Sequence, residues 1–373
     1  MKPETKLLRK LKHMDAEEKL IMKSFTCMFR LWAADGKWKI LNGYLVWIIL
    51  IAAPAIIGLS TQVWSQTGLT YTYVDTTKNH SPDADTVTVI GHPVGYIVRK
   101  GDTLLDIARN YRLGFNELED LYPELNPWVP TVGKELVLPR IWVLPQVHRT
   151  GIVINLAEFR LYHFLDRKGL FSDTLNYFQE KVKSGEQDLG FVRTYPVGIG
   201  DEAWNSPVGS FRIIEKRVKP IWYIPPSLVT KYHPIKVVPP GPTNPLGDYF
   251  MGIGNAYGIH GTDNPWSVGR MVTHGCIRLY PEDIEFLFPT VTEGTPVQIV
   301  YEPVKIGFLN GNIYVEVHKD IYGKISDFKQ HGYQKLADLG LMEVVEPDRF
   351  EAELEKKSGM PVQVGTIAMP RNL

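Results

Sequence analysis

Four side chains that can take part in nucleophilic or acid–base chemistry lie in one short stretch, GIHGTDNPWSVGRMVTHGCIRL at residues 258–279. They are His260, His274, Cys276 and Arg278. A thiol becomes a strong nucleophile when a neighbouring base takes its proton or a neighbouring cation stabilises the thiolate. Two histidines around one cysteine meet that need. We therefore expect Cys276 to be partly ionised near neutral pH and to alkylate faster than an ordinary cysteine.

The spacing around the cysteine favours acyl transfer. His274 and Cys276 are two residues apart, so in an extended segment their side chains point to the same side. Gly275 leaves the backbone open between them, so its N–H and that of Cys276 can face a carbonyl oxygen. A base would take the thiol proton, the thiolate would attack an amide, and an amine or water would resolve the thioester.

Three other interpretations of these residues stay open at this point. Cys276 can be a buried apolar residue and the histidines satisfied core residues. His260, His274 and Cys276 can ligate zinc, although their spacing matches no helical i, i+4 pair. Cys276 can be a redox thiol, but that role needs a second thiol to resolve it. The other cysteine, Cys27, lies on the opposite side of a predicted membrane-spanning segment. Two cysteines exclude a disulfide framework and any four-thiolate metal site.

Length and composition narrow the class of protein. A chain of 373 residues predicts two or three domains. Its 41 Lys and Arg balance 41 Asp and Glu, which removes the basic excess expected of a nucleic-acid-binding protein. Hydrophobic residues make up 44% and aromatic residues 11%, so the chain can build packed cores.

One apolar segment predicts a membrane anchor. Residues 43–64 carry no charge, and as a helix they would reach about 33 Å, enough for a hydrocarbon core of about 30 Å. Some 40 residues precede the segment, which favours an uncleaved signal anchor over a signal peptide. Residues 1–40 hold ten Lys and Arg and residues 65–90 hold one. The positive-inside rule therefore puts residues 1–42 in the cytoplasm and the rest outside.

Residues 65–93 are polar and predict a linker that lifts the next domain off the bilayer. Residues 94–140 predict a small βααβ domain. Thr103 stands three residues before Asp106 as a helix cap, and apolar residues then recur with helical spacing. The predicted order is a strand at 96–98, a helix from 104, a second helix at 116–122 and a strand at 136–139.

Residues 150–304 predict a mostly β domain, a sandwich or barrel of short strands. Runs at 152–156 and 160–164 indicate a hairpin, and the proline-rich residues 220–245 indicate a surface loop. Further strands are expected at 195–200, 209–214, 297–301 and 313–317. Residues 305–373 are expected to add that last strand and a charged tail. The tail has candidate helices at 328–341 and 347–357, and is expected to be a solvated appendage.

Two motifs carry a resemblance to known families. IHGT followed by THGCIRL resembles the signature of the L,D-transpeptidase (YkuD) family, in which His-Gly-Thr precedes Ser or Thr, His-Gly-Cys, an aliphatic residue, and Arg or Asn. YIVRKGDTLLDIARNY, with LNP at 125–127, resembles a LysM domain. Together residues 95–318 are similar to the Gram-negative branch that attaches the major outer-membrane lipoprotein to peptidoglycan.

The resemblance implies a YkuD-like catalytic domain that needs no metal or organic cofactor. The implied donor is a peptidoglycan tetrapeptide stem, acylated at its third residue with release of D-Ala, and the LysM-like domain would bind glycan strands. The acceptor would be another stem's amine or the terminal lysine of an outer-membrane lipoprotein. The residues to which it gives a role are Cys276 as nucleophile, His260 as base, His274 and Gly275 at the oxyanion hole, and Arg278, Thr273 and Gly261 as substrate-side or loop-holding residues.

With the predicted anchor, the resemblance implies a single-pass protein of the inner membrane with a periplasmic catalytic domain. Two other functions are compatible with the same sequence. A hydrolase on the same fold would use water as acceptor, and a non-catalytic protein would tether the membrane to the cell wall through its glycan-binding domain.

Overall fold

The computed structural model describes residues 70–75, 85–165, 189–225 and 228–367. Residues 65–373 form one compact unit. The helices in the described ranges are α1 Leu104–Asn110, α2 Phe115–Leu121, α3 Val229–Tyr232, α4 Pro281–Leu287, α5 Phe328–Asp338 and α6 Pro347–Lys356, with 3-10 turns at Leu156–Glu158, Pro265–Ser267 and Phe288–Thr290.

The strands are more numerous and mostly short. They are β1 Thr70–Val74, β2 Val89–Gly91, β3 Val94–Ile97, β4 Glu135–Leu138, β5 Ile141–Val143, β6 Gly151–Asn155, β7 Arg160–Leu165, β8 Leu189–Pro196, β9 Ile199–Gly200, β10 Gly209–Arg212, β11 Glu215–Val218, β12 Trp222–Tyr223, β13 Val237–Val238, β14 Tyr249–Gly254, β15 Tyr257–His260, β16 Met271–Thr273, β17 Ile277–Arg278, β18 Pro296–Val300, β19 Val304–Leu309, β20 Asn312–Val317 and β21 Val362–Thr366.

Two sheets pack face to face and confirm the mostly β prediction. The larger has the order β1-β8-β7-β6-β18-β10, and the smaller has the order β11-β14-β15-β17. Apolar side chains from both fill one core, including Ile154 and Ile299 from the larger sheet and Met251 and Ile277 from the smaller. The candidate site residues lie on β15 and β17 of the smaller sheet, on the short strand β16, and on the loops beside them.

The larger sheet is buried on both faces. Along β6, Ile152 and Ile154 belong to the core shared with the smaller sheet, whereas Val153 belongs to a second core on the opposite face. Side chains alternate between the faces of a strand, so a strand covered on both sides is a continuous apolar run. The predicted hairpin is present, since β6 and β7 pair antiparallel.

The second core lies between the larger sheet and a βααβ arrangement. Strands β3 and β4 pair antiparallel around α1 and α2. The predicted cap is present, because the Asp106 N–H donates to Thr103 Oγ1 at 3.0 Å. The second helix begins one residue earlier than predicted, at Phe115. Buried side chains of both helices pack with Val153 and Tyr162 of the sheet, so the arrangement shares a core with the sheet.

The prediction of a tether over residues 65–93 is wrong for two parts of that range. β1 is hydrogen-bonded along the edge of the larger sheet, with Thr70 opposite Arg193, and β2 pairs with β5. The sequence of β1, TYTYV, alternates β-branched and aromatic residues, which favours a strand. The strand was not predicted because residues 65–93 as a whole are polar. Residues 65–69 and 76–84 lie outside the described part of the chain.

The prediction of a solvated C-terminal tail is also wrong. Both predicted helices are present as α5 and α6, but they pack on a three-stranded sheet, β19-β20-β21. This C-terminal domain has its own core, which includes Leu336, Phe350 and Val364. The two helices are rich in charged residues, but the few apolar residues on each lie on one side and form a buried stripe.

The described ranges contain no helix that is long and apolar enough to cross a membrane. The predicted anchor at 43–64, the cytoplasmic segment 1–42 and Cys27 all lie outside these ranges.

Candidate active site

Strand pairing brings three of the predicted residues together. β15 and β17 are parallel neighbours, with Ile259 opposite Ile277 and His260 opposite Arg278. Cys276 directly precedes β17, which sets it beside Gly258. Residues opposite each other in neighbouring strands point to the same face, as do residues two apart in one strand. His260 and Arg278 therefore belong to one face of the smaller sheet, and the Cys276 thiol is near enough to Arg278 for their charges to interact.

His260 is held as a neutral base. It is 3% exposed, and its Nδ1 lies 2.6 Å from the carbonyl oxygen of Gly261. A carbonyl can only accept, so Nδ1 carries the proton and Nε2 keeps the lone pair. Burial, and then the charge of Arg278, lower the pKa of His260 to about 3. The imidazole is therefore uncharged at neutral pH.

The Cys276 thiol is also uncharged at neutral pH. Burial raises the pKa of Cys276, while a backbone hydrogen bond from Gly258 and the charge of Arg278 act in the opposite direction. The thiol is directed at the Ala256 carbonyl oxygen, at 3.9 Å from Sγ. The expectation of a partly ionised thiol is wrong for the resting site. The imidazole is buried and the Cys276 side chain is partly buried, which favours the neutral pair over the ion pair.

The segment before the thiol is a bend held by Thr273. The Thr273 hydroxyl donates to the Cys276 carbonyl oxygen at 2.7 Å and accepts from the Gly275 N–H at 3.2 Å. Gly275 has φ +97°, and a Cβ there would lie 2.5 Å from the Tyr257 ring. The expected extended geometry of residues 274–276 is therefore wrong. The Gly275 N–H, one of the two expected oxyanion donors, is hydrogen-bonded to the Thr273 hydroxyl in this structure.

His274 lies against the loop of residues 200–206, which the sequence analysis did not predict to be part of the site. Its ring is 5.6 Å from that of Trp204, with 32° between the planes. The carbonyl oxygen of Asn205 lies 3.4 Å from where a Cβ of Gly275 would be. Backbone bonding joins the same loop to β16, because the Asp201 N–H donates to the Thr273 carbonyl at 3.0 Å. Trp204 and Asn205 carry no motif that marks such a contact.

Arg278 links the thiol to the proline-rich loop. Its backbone exchanges two hydrogen bonds with Gly198, at 2.8 and 2.9 Å. Burial lowers the pKa of Arg278, and Asp263, Cys276 and Tyr232 oppose that shift. Its Nε has no hydrogen-bond partner within the described residues. Tyr232 belongs to α3 of the proline-rich loop, which therefore approaches the guanidinium.

The last predicted residue, Gly261, supports the base. Its N–H donates to the Tyr249 carbonyl at 3.1 Å, and its own carbonyl receives the His260 Nδ1–H. A Cβ at this position would lie 3.1 Å from Cγ2 of Ile284. Gly261 thus acts through His260 and through close packing.

Comparison with known proteins fits this geometry. The L,D-transpeptidase catalytic domain matches residues 149–299, which include the core shared by the two sheets and the site. "Probable L,D-transpeptidase ErfK/SrfK" of Salmonella typhimurium is 30% identical over 293 residues, covering 74% of this chain and 87% of that protein. The chain belongs to the L,D-transpeptidase family. It is thus a transpeptidase with a mostly β catalytic domain, as the motif predicted.

One further relative and one solved structure are similar to this chain to different extents. "Probable L,D-transpeptidase YbiS" of Escherichia coli is 32% identical over 273 residues, covering 69% of this chain and 81% of that protein. The X-ray structure of an L,D-transpeptidase from Mycobacterium tuberculosis aligns with 57% of this chain and 92% of that one, at 18% identity and a TM-score of 0.27. The catalytic-domain match ends at residue 299, so the C-terminal domain lies outside it.

Proposed function

We propose that Cys276 forms a thioester with a peptidoglycan tetrapeptide stem and passes that acyl group to an amine. The carbonyl of the third stem residue would be attacked, and D-Ala would leave. The observation that carries this proposal is the neutral His260, which lies opposite Arg278, a residue whose charge acts on both His260 and Cys276, in a chain of the L,D-transpeptidase family.

In acylation, the neutral pair requires that the proton moves during the attack. Nε2 of His260 takes the thiol proton as Sγ bonds to the stem carbonyl carbon. The carbonyl oxygen becomes an oxyanion and accepts a hydrogen bond from the Cys276 N–H. The imidazolium then gives its proton to the amine nitrogen of the departing D-Ala. The thioester remains and the imidazole is neutral again.

In the second half-reaction the acceptor amine takes the place of D-Ala. His260 removes its proton as it attacks the thioester, and then returns a proton to the sulfur. Arg278 would bind a stem carboxylate, because its guanidinium interacts with the Cys276 side chain and a guanidinium can donate to two carboxylate oxygens. Thr273 and Gly275 would hold the bend that aims the Cys276 N–H. His274 would shape the same pocket from the other side of the bend.

We also propose that residues 94–140 are a LysM-like module that binds glycan strands. The support is the βααβ order with the motif YIVRKGDTLLDIARNY. Exposed Trp128 and Val129 on the loop before β4 offer apolar contact to sugar rings. Binding of the full-length chain to purified peptidoglycan should fall when Trp128 is replaced by Ala. Unchanged binding would assign the module a purely structural role.

We infer that residues 43–64 anchor the chain in the inner membrane, with the active site in the periplasm. The charge asymmetry across that segment supports this orientation. Reporter fusions at the two ends should give opposite answers: a cytoplasmic reporter active at the N-terminus and a periplasmic one active at the C-terminus. Activity of the same reporter at both ends would contradict the topology.

Product analysis tests the main proposal. The full-length chain in detergent is mixed with disaccharide-tetrapeptide, with and without a peptide that ends in the lysine of an outer-membrane lipoprotein. We expect D-Ala release together with a 3-3 stem dimer or a lysine-linked product, and neither with Cys276→Ala. Tripeptide alone would make the chain a hydrolase, and no change of substrate would reject the proposal.

A further inference from the structure

A tyrosine outside the matched catalytic domain contacts the loop beside the thiol. We propose that Tyr322 is a positioning residue for acylation: its hydroxyl closes the loop of residues 200–206, and that loop fixes His274 and Gly275 next to Cys276. The proposal rests on the thioester chemistry above. It gives the C-terminal domain a part in the reaction.

The loop is tightly folded and touches the bend before the thiol. The Trp204 N–H donates to Oδ1 of Asp201 at 2.8 Å, and the Gly200 N–H donates to Oγ of Ser206 at 2.9 Å. A Cβ on Gly200 would lie 2.1 Å from the Trp204 carbonyl oxygen. The Trp204 ring lies against His274. A shift of the loop would therefore move the residues that precede Cys276.

Tyr322 joins the two ends of this loop. Its hydroxyl donates to the Gly200 carbonyl at 2.7 Å and accepts from the Ser206 N–H at 3.4 Å. Gly200 opens the loop and Ser206 closes it, so one hydroxyl satisfies a backbone group at each end. Burial raises the pKa of Tyr322, which keeps the hydroxyl protonated and able to donate.

Tyr322 is itself held in place. Its ring stacks on that of Tyr301 at 5.7 Å with 19° between the planes, and its N–H donates to the Tyr301 hydroxyl at 2.9 Å. The Tyr301 hydroxyl donates in turn to Asp320 at 2.6 Å. The Lys324 ammonium lies 5.2 Å from the centre of the Tyr322 ring. A side chain so constrained can hold a loop rather than follow it.

Removing the hydroxyl leaves the Gly200 carbonyl and the Ser206 N–H without this partner. Without the hydroxyl the two ends of the loop are no longer held together, and motion of the loop reaches His274 through Trp204. We expect the loss to appear in the rate of the chemical step more than in substrate binding. One net hydrogen bond corresponds to roughly a five- to tenfold change.

The test compares Tyr322→Phe with Tyr333→Phe in the full-length chain in detergent. Tyr333 lies on α5 of the same domain, and its hydroxyl donates to Glu351 at 2.6 Å, away from the loop. Thioester formation with tetrapeptide is followed by intact mass, which gives kcat and KM for acylation, and thermal unfolding is recorded alongside. The His274 ring proton shifts, assigned with His274→Gln, report the Trp204 contact.

Tyr322→Phe is expected to lower kcat about five- to tenfold with little change in KM, and to shift the His274 resonances. Tyr333→Phe should change neither. Equal acylation and unmoved His274 signals in both variants would overturn the inference, even if both unfold at a lower temperature. Absence of acylation in the unmodified chain would instead reject the proposed function, and the His274 shifts would then decide the positioning role alone.

Discussion

Two buried clusters of titratable side chains differ in how completely they are satisfied. In the cluster around Lys305, the ammonium lies 2.5 Å from Glu158, 2.9 Å from Glu316 and 2.7 Å from the Val143 carbonyl. His318 closes the set with a 2.7 Å contact to Glu316. Around Cys276, by contrast, His260 keeps a lone pair on Nε2 and Arg278 keeps an Nε that has no partner within the described residues.

The contrast shows that burial and charge do not by themselves make a reactive site. The oxygen and nitrogen atoms of Glu158, Glu316 and His318 lie within 4.8 Å of one another, a spacing that suits a metal ion. Lys305 is the cation that already occupies their centre. A cluster whose polar atoms are all paired holds the fold together, whereas one with an unpaired donor and an unprotonated base keeps groups that can act on a substrate.

The largest expected effect comes from removing the open base. His260→Ala should lower the rate of thioester formation about a hundred- to ten-thousandfold, because the thiol loses its proton acceptor. Intact mass against time with tetrapeptide measures this. His163→Ala is the matched control, since His163 is likewise buried with a pKa lowered to about 4, and should leave the rate near normal. Normal acylation by His260→Ala would move the base elsewhere.

Breaking the satisfied cluster should affect stability rather than chemistry. Lys305→Met leaves Glu158 and Glu316 without their central cation and should cost about 3–5 kcal/mol of unfolding free energy. Lys319→Met removes an exposed pair with Asp120 and should cost under about 1 kcal/mol. Denaturant unfolding measures both. Loss of acylation per folded molecule in Lys305→Met would erase the contrast between the clusters.

Sequence reasoning found the reactive cluster because its members are close along the chain. The two runs of the motif form β15 and β17, whose pairing sets His260 opposite Arg278, two residues from Cys276. The satisfied cluster draws Glu158 from the hairpin and Lys305 from the C-terminal sheet, residues that no local pattern relates. Tyr322 was out of reach for the same reason, since it contacts backbone atoms 122 residues away.

Local patterns also left details of the bend undetermined. The start of the helix after Thr103 was predictable from the sequence, because a helix cap involves residues only three positions apart. The Thr273 hydroxyl, however, accepts a hydrogen bond from the Gly275 N–H. This bond forms in a bend that depends on φ +97° at Gly275 and on the Tyr257 ring beside it, neither of which the local sequence indicates. The charge state of the Cys276 thiol depends on how deeply its side chain is buried, and the amino-acid sequence alone does not give that burial.

The neutral pair predicts how the thiol responds to pH. The pKa of Cys276 is raised, so the thiolate fraction should grow with pH through and beyond pH 9. Alkylation by iodoacetamide should then rise about tenfold per pH unit between pH 7 and 9. An alkylation rate that is already constant above pH 6 would show a thiolate–imidazolium pair and contradict the neutral pair.

The smallest effect concerns Asp283, a buried carboxyl on α4 that is paired with Arg112 at 3.3 Å. Burial raises the pKa of Asp283 to about 7, and Arg112 opposes the shift. The folded state therefore binds this proton more tightly than the unfolded state, and stability falls as pH rises toward 7. Asp283→Asn should remove that fall, about 2 kcal/mol between pH 5 and 8. The same change in unfolding free energy between pH 5 and pH 8 in the unmodified chain and in Asp283→Asn would contradict this.

The most direct test of the central claim is the intact mass of the full-length chain after mixing with tetrapeptide stem. We predict an added mass equal to the stem without its terminal D-Ala, located on Cys276 by fragmentation, and absent from Cys276→Ala. An unmodified chain that nonetheless turns over the stem, or an adduct on another residue, would contradict the account.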